Sequence, residues 1–152
     1  MKKLFILCFI LLLFVSGCSS KKDHNSNEEN PDILVDIADK LKNDSNDYTI
    51  DKADKNILSG ERYVIHFNDD FSVQVYIYDS IEDAETDANN LSDDGRTYTK
   101  TSSDNNSITS IIDWTSGPHF YQYENTIILY IGNNQDTITQ LSNSFGEQIA
   151  GD

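Results

Sequence analysis

Cys8 and Cys18 are the only thiols of this 152-residue chain, and both lie in its first eighteen residues. A thiolate is a nucleophile open to alkylation. Cys18, which follows the small residues Ser16 and Gly17, is therefore the first candidate for covalent chemistry. Two imidazoles, His66 and His119, fall in strand-like segments of different hairpins and could approach one another there; the third, His24, sits in a polar tract. A zinc ion shared by His66 and His119 would need further ligands, which Asp113 or Glu124 would supply only by coincidence of the fold. Asp69-Asp70 and Asp93-Asp94-Gly95 are turn-like clusters in which carboxylates can hold calcium. Asp and Asn are also ordinary turn formers, and the EF-hand spacing is absent. The chain contains no Gly-x-Ser-x-Gly elbow, phosphate loop, Gly-x-Gly-x-x-Gly or His-Glu-x-x-His. No cofactor is implied, no metal site and no catalytic constellation.

Tyrosine has a different use. Tyr76, Tyr78, Tyr121 and Tyr123 occupy alternating positions on two strand-like segments. Placed on a sheet face turned away from the helices, they would form a stripe of the residue type enriched at interfaces, a candidate surface for a partner or a sugar. Tyr is equally a good strand former that can border a core.

The N-terminus decides the address. Lys2 and Lys3 precede an unbroken apolar run over residues 4–15, and Ser16-Gly17 follow. This is the layout of a secretory signal, and it is shorter than the roughly 20 residues a permanent span requires. Val15-Ser16-Gly17-Cys18 resembles the bacterial lipobox, with Val where Leu is most usual. The resemblance implies that the Cys18 thiol takes a diacylglyceryl group and that the chain is cut just before it. It implies further that residues 1–17 are removed and that the protein is held on the outer face of the cytoplasmic membrane. Two acyl chains on one glyceryl suffice for stable anchoring without help from protein charge. Residues 18–30 carry no apolar side chain after Cys18 and read as a polar tether, leaving 31–152 as one α+β domain. In its Ile, Asn and Lys usage that domain resembles small lipoproteins of Gram-positive bacteria without assigned activity.

Cleavage removes two bases and no acid, so 26 acidic residues stand against 9 basic ones, a net of −17 over 135 residues. Nucleic acid, bound through Lys and Arg on phosphates, is excluded as a partner, and so is adsorption on anionic lipid. What remains is self-repulsion and solubility, or recruitment of a basic partner or of cations near the wall. With both thiols in the signal region, the domain has no disulfide and depends on its core.

Apolar spacing predicts the elements. Asn30-Pro31 suits the start of a helix, with Leu34, Ile37, Ala38 and Leu41 on one face. Residues 44–59 read as a polar connection. Segments 62–67 and 72–78 alternate around a short polar turn, an antiparallel hairpin. Ser80, with Asp83 three residues on, fits an N-cap for a helix through Ile81, Ala84, Ala88 and Leu91, ended at 93–95. Strands follow at 96–100, 107–114, 119–123 and 126–131, then a helix through Ile138, Leu141, Phe145 and Ile149. The order α-ββ-α-β-β-ββ-α predicts an antiparallel sheet of about five strands with the helices on one face. The expected function is a non-enzymatic, lipid-anchored binding module for an extracytoplasmic protein or wall component. The alternatives are a wall-active hydrolase or its inhibitor, using carboxylates with His66 or His119, and a small-ligand or cation-binding lipoprotein.

Overall fold

In the computed structural model, which describes residues 31–42, 47–68 and 71–152, the chain is α+β. It runs α1 (Asp32–Leu41), β1 (Thr49–Ala53), β2 (Glu61–Phe67), β3 (Phe71–Ile77), α2 (Ile81–Ala88), β4 (Thr97–Thr101), β5 (Ser107–Ile111), β6 (Pro118–Tyr123), β7 (Thr126–Ile131), α3 (Gln135–Phe145) and β8 (Ala150–Gly151). The sequence expectations for Cys18, His24, Asn30 and Asp69-Asp70 lie outside the described residues. Six strands form one antiparallel sheet in the order β1-β2-β3-β7-β6-β8, and β4 with β5 makes a separate two-stranded hairpin.

Period-two alternation builds the sheet. The β2–β3 register sets Tyr63 opposite Val75 and Ile65 opposite Val73. Cross-strand partners share a face, so these side chains join Phe67, Tyr121, Ile128 and Tyr130 in one core. That core is closed by Leu34, Ile37, Ala38 and Leu41 of α1 and by Leu141 of α3. The opposite face carries Tyr76, Phe120, Ile127 and Leu129. It is closed by Ala84 of α2, Leu58 and Tyr98, with Ile112 and Trp114 packed alongside. The helices therefore cover both faces, two on one and one on the other, where the sequence predicts one covered face. The physical reason lies in β7. Thr126 to Tyr130 are all buried, and a strand apolar on both sides needs a cover on both sides.

Local signals place most of the helix ends. The Ser80 hydroxyl accepts the Asp83 N–H at 3.1 Å, and Asn134 Oδ1 caps α3 by accepting the Asp136 N–H at 2.9 Å. α2 stops at Ala88, earlier than the expected 93–95, because Leu91 is drawn into a β-bridge with Tyr98. A turn then closes through the Gly95 N–H on the Ser92 carbonyl at 2.8 Å. Gly95 has φ +64°, and a Cβ there would lie 2.8 Å from the Phe120 ring, so glycine is what lets this turn fold onto the sheet. The strand expected over 107–114 ends at Ile111. Trp114 turns inward, donating its Nε1–H to the Gly95 carbonyl at 2.8 Å and meeting Phe120 edge-on. Ile149 lies beyond α3 and is 40% exposed.

Candidate functional site

Among the described residues, the β4–β5 hairpin has a neighbour on its β4 side and no strand on its β5 side. Its register pairs Tyr98 with Ser110, Thr99 with Thr109 and Lys100 with Ile108. Ladder bonds run from the Ser102 N–H to Asn106 and from the Ile112 N–H to Arg96. Alternation along an antiparallel pair then turns the backbone groups of Thr97, Thr99, Ser107, Thr109 and Ile111 outward. On the β4 side they are met: the Thr99 N–H donates to the Asn90 carbonyl at 2.8 Å, and the Thr97 carbonyl accepts the Ser92 N–H at 3.0 Å. On the β5 side no strand stands beside them among the described residues. All five residues of β5 are exposed, none is charged, and Ile108 and Ile111 are 73% and 85% exposed.

The hairpin faces residues 54–60 across a groove of about 580 Å³, lined chiefly by Asn56, Ile57, Tyr98, Lys100, Ile108 and Ile112, with Asp113 at its border. Its size lies in the range of ligand clefts, about 300–1,000 Å³. Isoleucine and tyrosine supply apolar wall, and the Lys100 stem adds to it.

A buried carboxylate holds the two walls together. Asp87 of α2, 4% exposed, accepts hydrogen bonds from the hydroxyls of Tyr98 and Tyr78, the latter at 2.7 Å. It also accepts the Ser59 N–H at 2.7 Å and the Ser59 hydroxyl at 3.1 Å. One side chain thus joins β4, the end of β3, α2 and the 54–60 segment. Burial pushes the Asp87 carboxyl up, but the bonds from Tyr98, Tyr78 and Ser59 outweigh it and leave the group below its ordinary value. Burial first, then Asp87, pushes the Tyr98 phenol up to about 12 and moves Tyr78 in the same direction. The other groove wall is held by Tyr76, whose hydroxyl donates to Asn56 Oδ1 at 2.8 Å.

These contacts correct the expectation of an open tyrosine face. Tyr76 and Tyr121 are fully buried and Tyr78 nearly so, with Tyr76 and Tyr78 in one core and Tyr121 in the other. Tyr123 is half-buried, and its hydroxyl donates to Asp36 of α1 at 2.8 Å; Tyr121 reaches Ser142 of α3 at 3.3 Å. All four are pins between sheet and cover. Each carries an apolar ring off the sheet and meets a polar group at its hydroxyl.

The two histidines do not meet. His66 alternates against Ile65 and Phe67 on β2 and lies beside Asp51 at 3.7 Å, exposed. His119, on β6, is buried on the sheet face opposite to that of His66 and stacks on its cross-strand partner Tyr130. Its two ring nitrogens are held by Gln148 and by the Gly132 carbonyl, each at 2.9 Å. Asp94 of the second acidic cluster serves its own turn, accepting from the Ser92 hydroxyl and the Arg96 N–H. Among the described residues no three His, Cys, Asp or Glu side chains are grouped to hold a metal ion. Asp113 and Glu124 stand apart, one at the groove and the other at positive φ in the β6–β7 turn.

Sequence reading missed the groove, although one signal for it was present. In β5 the two isoleucines are three residues apart, so they point to opposite faces and cannot both reach a core. No family model, no curated protein and no solved structure matches this chain.

Proposed function

We propose that the protein is a lipid-anchored, extracytoplasmic binding module without a catalytic step, and that the groove between β4–β5 and residues 54–60 is its binding surface. The observation that carries this reading is the free, uncharged edge of β5 beside an apolar groove. Open edges are templates for pairing with another chain, and proteins ordinarily block them. A fixed position for the groove, set by Asp87 and Tyr76, supports the same reading, since a preorganised surface loses less entropy on binding. Anchorage rests on the resemblance of Val15-Ser16-Gly17-Cys18 to the lipobox and on the secretory layout before it.

A single experiment in cells addresses both halves. With a photoreactive residue at position 108, irradiation is expected to cross-link a bound molecule at the membrane, and the same residue at position 52 of β1 is not. Cys18→Ala is expected to release the chain or leave its precursor uncut. Normal retention at mature size in Cys18→Ala would overturn the anchor, and equal cross-linking at 52 and 108 would overturn the groove.

A further inference from the structure

The charge around the hairpin bears on what fills the groove. Between residues 79 and 113 nine acids stand against two bases, Arg96 and Lys100, and the Arg96 guanidinium is taken by Asp152 at 2.9 Å. Glu82, Asp83 and Glu85 are exposed on α2, which packs on the same sheet face as the hairpin. Asp113 borders the groove at one end. Asp104 is exposed at the other, in the turn between the lining residues Ser102 and Asn106. The β5 edge itself carries no charge; the groove lining holds one base, Lys100, and one acid, Asp113, and the excess of acid around them attracts cations.

We propose that the occupant is an extended, positively charged polypeptide segment that adds as a strand beside β5. This rests on the groove-binding reading above and narrows it to one chemistry. Backbone pairing uses the outward N–H and C=O groups of Ser107, Thr109 and Ile111, the mode in which an added strand gains its affinity from main-chain bonds. Apolar side chains of the segment enter the groove beside Ile57 and Ile108, and its bases lie toward Asp104 and Asp113. A second copy of this chain offers the same edge, but it brings the same acidic surroundings to within a Debye length of about 8 Å. Charge therefore favours an unlike partner.

The test uses the full chain in detergent micelles and three labelled probes. These are a short peptide alternating lysine with valine, its glutamate–valine counterpart, and the lysine peptide methylated on every backbone nitrogen. The lysine peptide is expected to bind about tenfold more tightly than either other probe and to weaken with added salt. Thr109→Pro, which removes an outward donor but no ladder bond, is expected to reduce its binding about tenfold. Ser110→Lys, which places a like charge on the groove side without touching the backbone, is expected to do the same. Equal binding of the methylated peptide would mean adsorption by charge alone and would overturn the strand. Equal binding of the glutamate peptide, lost in Thr109→Pro, would leave the groove reading standing and overturn the cationic partner. Self-association of the chain that Thr109→Pro abolishes would make a second copy the occupant and overturn the inference. Binding of no probe, with both variants folded by circular dichroism, would overturn it as well.

Discussion

β1 and β5 are both end strands, yet they are guarded in opposite ways. β1 closes one side of the six-stranded sheet and carries Asp51 and Lys52 in its five residues; Lys52 pairs with Glu61 at 3.0 Å across the strand. Charges on an edge make a second strand expensive to add, because pairing would desolvate them. The other end of the sheet, β8, is two residues long, and shortness protects it equally well. β5 has neither device. It is uncharged, exposes two isoleucines, and sits on a two-stranded ribbon, an element only marginally stable by itself. The comparison teaches that protection follows the sheet and stops at the hairpin. There the structure instead supplies tertiary support, through Asp87 and Trp114, to an edge left open.

Removing that support is the strongest way to break the comparison. Asp87→Ala leaves the Tyr78 and Tyr98 hydroxyls and the Ser59 N–H without their acceptor, at about 1–3 kcal/mol for each buried group left unpaired. A loss of about 3 kcal/mol is expected in denaturant unfolding. Amide exchange in β4 and β5 should rise steeply while β1 and β2 stay protected. Equal loosening of both edges would show that Asp87 supports the whole sheet.

pH acts on the same contacts with opposite signs at the two extremes. The folded Asp87 carboxyl titrates below its ordinary value, so its contribution is present above about pH 4 and fades as the pH falls further. Tyr98 keeps its proton up to about 12 when folded, against 10.0 when free. Its contribution is complete below pH 10 and is lost as the pH rises from there to 12. Hairpin amides should therefore lose protection at both extremes. In Asp87→Asn the acid limb should shrink, and an unchanged acid limb would place the responsible carboxylate elsewhere.

Exchanging the guards sharpens the contrast at a smaller scale. Ser107→Lys puts a charge on the β5 edge as Lys52 does on β1, and binding of the lysine–valine peptide should fall about tenfold, or about 1.4 kcal/mol. Opening β1 with Asp51→Thr and Lys52→Thr should leave that affinity within about twofold, because the groove lies beside β5. A gain at β1 as large as the loss at β5 would mean that any open edge suffices. The smallest effect belongs to His66→Ala. Its pair with Asp51 is exposed, and surface pairs of this kind contribute about 0–1 kcal/mol. Unfolding stability should move by under about 0.5 kcal/mol.

Much of the sheet was legible because its strands alternate strictly. Tyr63, Ile65 and Phe67, then Val73 and Val75, announce β2 and β3, and the nearly continuous apolar run of Ile127, Ile128, Leu129 and Ile131 announces a central strand. β1 was not legible: Thr-Ile-Asp-Lys-Ala holds too few apolar residues for a pattern and forms a strand only because β2 offers an edge to pair with. The groove was hidden for a related reason. Its walls come from residues 56–57 and 98–113, and neither segment has a core face that a period would reveal. Asp87 was no plainer, since its partners lie 9, 11 and 28 residues away and meet it only once α2 has docked.

By itself the sequence determined the α+β class, the hairpins, the Ser80 cap and the acidic charge, because each depends on neighbours or on composition. Only the tertiary structure decided what the tyrosines face and which edge stays open. A period of two says that the two sides of a strand differ, and it is silent on whether either side will be covered. With α1 and α3 on one face and α2 with the hairpin on the other, Tyr76, Tyr78 and Tyr121 became interior pins. The open side of the protein moved from the sheet's face to the edge of β5.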